Sequence, residues 1–217
     1  MKIKGVVFDF NGTLFWDTEL HNQAWDQFLN QRGFHLSYQE KVERIHGKNN
    51  QDFLAGLFPE CSLEEIDRLS QEKEKIYQEI CRRSNLDLAP GAREFIAFLK
   101  NNQISFTIAT ASDLHNVLFF FDYLKLDELF DRSKVVFNDG KTLSKPHPQM
   151  FQKAMQAIGT RPEQTLVFED SLLGIQAAQN AGAGQIIIVN SNQDDHSRWN
   201  YAVIRDFVDV DRSLFVA

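Results

Sequence analysis

Gly5-Val6-Val7-Phe8-Asp9-Phe10-Asn11-Gly12-Thr13-Leu14 is the stretch whose reading decides the fold. A short apolar run rich in β-branched residues ends abruptly at an acid. Such a run suits a strand of a parallel sheet covered on both faces. Asn11-Gly12 then marks a turn.

The same pattern recurs toward the C-terminus. Ile104–Ala109 reads as a strand ending at Thr110, Val135–Phe137 as a second, and Thr165–Phe168 as a third ending in Glu169-Asp170. Ile186–Val189 is a further strand, and Ala202–Ile204 suits a last one. Helical patterns fill the intervals. One opens at Pro90-Gly91, one is capped by Ser112 and runs to about Phe121, and one spans about His147 to Ile158. Another is capped by Ser171 and closed by Gly182. Strands alternating with helices predict an α/β fold, a doubly wound parallel sheet of Rossmann-like type.

Residues 18–85 break this rhythm. They are polar and helical in period, with one apolar stripe at Leu20, Ala24, Trp25, Phe28 and Leu29 and another at Ile66, Leu69, Ile76 and Ile80. Gly33, Gly47 and Pro59 punctuate the stretch, and Ser62 with Glu65 forms a capping-box start. A small helical subdomain inserted after the first strand is expected.

Composition narrows the function classes. The 217 residues carry 23 basic and 30 acidic side chains, a net charge of −7. That balance argues against nucleic-acid and anionic-membrane partners. No run approaches the roughly 18 apolar residues of a membrane helix. The basic start Met1-Lys2-Ile3-Lys4 resembles the head of an export signal, but Asp9 stops the apolar stretch too early. Cys61 and Cys81 stand outside any CxxC spacing, so reduced thiols and a cytoplasmic location are expected, with a monomer or weak dimer. The 19 Phe residues read as core packing.

Asp9, Thr110 and the Glu169-Asp170 pair each follow a hydrophobic strand directly. In an open α/β sheet the carboxyl ends of the strands gather at one edge, where ligands bind. Two or three carboxylates plus a backbone carbonyl there make a hard oxygen site suited to Mg²⁺.

Asp9-Phe10-Asn11-Gly12-Thr13-Leu14, Thr110-Ala111-Ser112, Lys145-Pro146 and Glu169-Asp170-Ser171 resemble, in order, the four motifs of the haloacid dehalogenase superfamily. The insert resembles the helical cap of the subclass holding phosphoglycolate phosphatase and β-phosphoglucomutase. The resemblance implies a core at residues 1–16 and 86–217 and a cap at 17–85. It implies a Mg²⁺-dependent phosphatase of a small phosphorylated metabolite such as a sugar phosphate. Asp9 would be the nucleophile that becomes an aspartyl phosphate. The backbone carbonyl of Asn11 and the carboxylates of Asp9 and Asp170 would hold the metal, with Glu169 a ligand or its supporting partner. Thr110, with backbone amides near Ala111 and Ser112, would bind the phosphoryl group, and Lys145 would face both it and Asp9.

Position 11 departs from the pattern. Phosphatases of this type usually carry Asp there as general acid and base, and an amide cannot shuttle a proton near neutral pH. Three readings stay open: a slow or specialised phosphatase, a silent phosphate-ligand binder, or an introduced substitution. In the cap, His21, His46, Lys48, Asn49 and Asn50 are candidate substrate contacts. The turn His46-Gly47-Lys48-Asn49-Asn50 thins the cationic pair that the β-phosphoglucomutase branch carries, which weighs against a mutase. Gly140-Lys141-Thr142 lacks the Gly five residues earlier that a phosphate-binding P-loop needs.

Overall fold

The computed structural model describes residues 2–215. Met1, at the head of the basic start, and residues 216–217, at the end of the expected core segment, lie outside the described residues. Six parallel strands form one sheet in the order β3-β2-β1-β4-β5-β6, with β1 Gly5–Phe8, β2 Ser105–Asp113, β3 Val136–Asn138, β4 Thr165–Glu169, β5 Gln185–Val189 and β6 Ala202–Ile204. The chain winds outward from β1 to β3, then returns to β4 on the other side of β1. The switch point therefore falls between β1 and β4, where a doubly wound sheet opens a crevice for ligands.

Apolar packing on both faces explains why these strands carry so little alternation. Phe8, at the end of β1, stacks on Phe168 of β4 at 5.3 Å and meets Phe95 edge-on at 6.1 Å. Phe95 belongs to helix α5, Ala92–Asn101, which covers that face together with α6, Leu114–Tyr123. Val7 and Val167 point to the opposite face, against α7, Gln149–Ala157, and α8, Leu172–Asn180. The Phe excess is thus largely core, as the composition suggested.

Between β1 and α5 the chain forms four helices: α1 Thr18–Asn30, α2 Tyr38–Arg44, α3 Asn50–Leu57 and α4 Leu63–Ser84. Trp25, Phe28, Leu29, Phe53 and Ile66 give this insert its own apolar cluster. The capping box at Ser62 and Glu65 is formed.

Three expectations need correction. Ser112 does not cap α6. Strand β2 continues through Asp113, and the Asp113 side chain accepts from the Asn116 amide to start the helix. Helix α7 begins at Gln149, not His147, with Pro148 at its N-cap. The second stripe of the insert is rotated. The buried face of α4 includes Ser70, Lys73, Glu74, Tyr77 and Cys81 beside Ile66, while Leu69, Ile76 and Ile80 are only partly buried. Helix α4 turns a polar face inward because Ser70 and Glu74 meet a polar cavity while Lys73 and Tyr77 meet His21 and Asp17.

Candidate active site

Asp9 leaves the end of β1 and Glu169 closes β4, so the switch point brings their carboxyl groups together with Asp170. One carboxylate oxygen of each lies within 4.8 Å of the others. Lys145 is threaded among them. Its Nζ donates to Asp9 Oδ1 and to Glu169 Oε1, both at 2.5 Å. The other Glu169 oxygen accepts from the Asp170 and Ser171 amides and the Ser171 hydroxyl, at 2.8–3.0 Å. Glu169 thereby anchors both the lysine and the start of the loop into α8. Asp170 accepts from Thr13 Oγ1 at 3.0 Å.

Two glycines make this packing possible by close approach. A Cβ on Gly12, whose φ is +80°, would strike the Asp170 carboxylate, and one on Gly174 would strike the Glu169 carboxylate.

The electrostatics follow from burial and crowding. Burial, then the charge of Glu169, raises Asp9 to about 7, although Lys145 pulls the other way. Burial, then the charges of Glu169 and Asp9, push Asp170 well above the usual carboxylate range. Burial opposes the charge on Lys145, but Asp9 and Glu169 outweigh it and raise its pKa. Three carboxyl groups face one ammonium, leaving an excess of buried negative charge. A divalent cation held by hard oxygen donors relieves such an excess, so the donor set fits Mg²⁺ chemistry.

Asn11 is held on both sides. Its Oδ1 accepts from Ser112 Oγ at 2.8 Å and Thr110 Oγ1 at 3.3 Å, and its Nδ2 donates to Asp17 Oδ2 at 2.7 Å. Asp17, an acceptor-only carboxylate, fixes which way the amide points. The Ser112 amide donates to Thr110 Oγ1 at 3.1 Å, so that amide is engaged by the protein rather than aimed from a helix end.

A cavity of about 100 Å³ lies over Asp9, Asn11, Thr110, Ala111, Ser112 and Asp170. His21, His46, Lys48 and Asn50 of the insert line its other side. The expected site residues therefore converge, with two qualifications. Lys145 is 2% exposed and lies beneath the cavity wall, as does Glu169. Asn49 does not face the cavity: it caps α3 through Asp52 and bonds Ser144 Oγ.

Sequence reading missed a buried network behind Asn11. Asp17 Oδ1 accepts from the Gly12 amide at 3.1 Å, and its Oδ2 accepts from the Tyr77 hydroxyl. His21 stacks on Tyr77 at 3.8 Å, with one ring nitrogen 3.3 Å from Asp17 Oδ2 and the other 2.8 Å from Lys73 Nζ. Lys73 in turn donates to Glu74 Oε1 at 2.9 Å. Asp17 looks like an ordinary helix N-cap by position, yet its side chain makes no cap bond to α1.

This sheet, with its switch point and acid–lysine cluster, defines a Rossmann-like α/β protein with a ligand site at the carboxyl ends of its strands. A family model described as haloacid dehalogenase-like hydrolase matches residues 3–182, and the chain belongs to that family. Among curated relatives, a phosphorylated carbohydrates phosphatase of Thermotoga maritima is 29% identical over 200 residues, covering 88% of each chain. A probable pseudouridine-5'-phosphatase of Drosophila melanogaster is 26% identical over 95% of this chain and 92% of its own. Among solved structures, a family IA, variant 3 HAD hydrolase from Entamoeba histolytica superposes with a TM-score of 0.87 at 33% identity, covering 98% of this chain and 97% of that one. The β-phosphoglucomutase of Clostridium difficile shares the fold, with a TM-score of 0.82 at 22% identity over 97% of this chain and 94% of that one.

Proposed function

We propose that this protein is a Mg²⁺-dependent phosphatase of a small phosphorylated metabolite, working through an aspartyl phosphate on Asp9. The observation that carries the reading is the placement of Lys145 between Asp9 and Glu169, with Asp170 alongside. That arrangement sets a carboxylate at the floor of a cavity, orients it and keeps a positive charge beside it. Residues 17–85 act as the cap and the remainder as the core. Asp9, Asp170 and the Asn11 backbone carbonyl would hold Mg²⁺, which would supply charge neutralisation at the phosphoryl oxygens. Glu169, with both oxygens engaged by Lys145 and the 170–171 loop, supports the site from behind.

An Asp9 oxygen forms the bond to phosphorus as the bond to the leaving oxygen breaks. Thr110 and Ser112 face the transferred group. Water then attacks phosphorus, the Asp9–phosphorus bond breaks and inorganic phosphate leaves. Asn11 can position groups through its hydrogen bonds but cannot give the leaving oxygen a proton or take one from water. Lost acid–base help costs about 10²–10⁴-fold in rate. The full engagement of the Asn11 amide by Asp17, Ser112 and Thr110 also supports a second reading, a phosphate-ligand binder without turnover.

Hydrolysis of p-nitrophenyl phosphate with Mg²⁺ separates the two, since that leaving group hardly needs an acid. Turnover that vanishes in Asp9→Asn is the expected result. Asn11→Asp should then accelerate hydrolysis of both substrate types by at least about tenfold, the aryl rate through the water step and the alkyl rate through leaving-group protonation as well. Zero aryl turnover in the wild-type protein selects the binder.

A further inference from the structure

The loop that delivers Lys145 runs from Asn138, the last residue of β3, to Gln149 at the start of α7. Neither helix nor strand geometry fixes this segment, so the place of the Lys145 ammonium depends on what grips the loop. Part of the grip comes from the core itself. Asp139 Oδ1 accepts from the Lys141 and Thr142 amides and the Thr142 hydroxyl, at 2.7–3.0 Å. The Leu143 amide donates to Gln149 Oε1 at 2.8 Å, and Asn180 Nδ2 donates to the Pro146 carbonyl at 3.0 Å.

The rest comes from the insert. Asn49-Asn50-Gln51 opens α3 with three amide side chains in a row, and each reaches a different element. Asn49 Nδ2 donates to Ser144 Oγ, next to the lysine in the chain. Asn50 Nδ2 donates to Glu74 of α4. Gln51 Oε1 accepts from Asn138 Nδ2 at 3.2 Å, and Asn138 Oδ1 accepts from the Gly140 amide at 3.0 Å. The insert therefore holds the loop at two points, Asn138 and Ser144, on either side of the Asp139 turn. Asn49 is itself fixed, because its Oδ1 accepts from the Asp52 amide at 2.8 Å and so caps α3. A shift of Ser144 passes through one peptide bond to Lys145, whose Nζ must meet both Asp9 and Glu169. Misplacing a catalytic group by about 1 Å costs about 10²-fold in rate.

We infer that Asn49 is a positioning residue acting through Ser144, with Gln51 supporting it through Asn138. Lys145 is in register with Asp9 only while the N-terminus of α3 is seated on the lysine loop. This inference rests on the phosphatase reading above and adds an action of the insert on the lysine of the core rather than on substrate.

The test is rapid mixing with p-nitrophenyl phosphate and Mg²⁺, reading the first turnover, in which Asp9 takes the phosphoryl group. Asn49→Ser keeps a capping oxygen for α3 but lacks the amide that reaches Ser144. Ser144→Ala removes the partner from the core side. Each is expected to lower the saturated first-turnover rate at least about tenfold, while the half-saturating substrate concentration moves less than about twofold. The double variant should be no slower than the slower single variant, because both substitutions remove one bond. Ser144→Thr keeps the hydroxyl and should stay near the wild-type rate. Should Asn49→Ser fail to fold, the two Ser144 variants decide alone. A change in half-saturation at an unchanged saturated rate would mean that the bond only holds the insert down. Losses that add in the double variant would mean that Asn49 acts elsewhere. Either result overturns the inference and leaves the phosphatase reading standing, whereas absence of turnover in the wild-type protein removes both together.

Discussion

Asp9 and Lys145 cannot be understood apart from Glu169, and Glu169 depends on a residue with no side chain. Gly174 lies on the first turn of α8 directly against the Glu169 carboxylate. Ala is the better helix former by about 1 kcal/mol, so propensity alone favours Gly174→Ala. The overlap with a fully buried carboxylate is the larger effect, since overpacking costs typically about 1–3 kcal/mol. Glu169 must then shift, and Lys145 with it. Gly174→Ala is therefore expected to lower the melting temperature and to reduce phosphatase turnover at least about tenfold. An unchanged melting temperature and rate would show that Glu169 does not position the lysine. This position is illegible in the sequence, where Gly174 looks like a weak point in an amphipathic helix. Asp9, Thr110, Glu169 and Asp170 were legible because each interrupts an apolar strand with a polar group.

At the scale of elements, α4 separates what periodicity can show from what it cannot. Its helical period and capping box are plain in the sequence, but its inward face is not. Lys73, Glu74 and Tyr77 sit among exposed charges in a helix that reads as solvated on that side. Only the neighbouring elements, α1 with Asp17 and His21, make burial of that face favourable. Removing one partner of a buried charge pair leaves the other uncompensated and costs about 3–5 kcal/mol. Lys73→Met should lose about that much in chemical denaturation, because Glu74 would keep only its amide donors. The double variant with Glu74→Gln should recover part of the loss. If Lys73→Met alone is neutral, Lys73 does not compensate the buried charge of Glu74. The start of α6 shows a smaller ambiguity: Ser112 and Asp113 are both capping types, and the extended pairing of β2 with β3 at Asp113–Asn138 decides for the second.

For the whole molecule, the sheet order places an acid-rich cluster at the point where the winding reverses. The parallel sheet and the inserted helices were readable from the alternation of strands and helices, while the charge imbalance of the cluster emerges only from the assembled fold. Its pH consequence has a definite sign. Asp9 is raised from 3.8 to about 7 by burial and Glu169, so the fold favours its protonated form. That contribution to stability is complete below about pH 4 and is lost as pH rises through about 7. A divalent cation binds the ionised form and offsets the loss. Millimolar Mg²⁺ is expected to raise the melting temperature clearly at pH 8 and far less at pH 5. Equal shifts at both pH values would mean that the cation binds elsewhere.

The most direct test of Asp9 as the group that carries phosphate is mass spectrometry of the acid-quenched enzyme during turnover of p-nitrophenyl phosphate. Asn11 offers no base for the water step, so the phosphorylated enzyme should accumulate. A phosphate-sized mass increase on the peptide containing Asp9, absent in Asp9→Asn and diminished in Asn11→Asp, is the expected result. Steady turnover with Asp9 unmodified, or with the label on another residue, would contradict it.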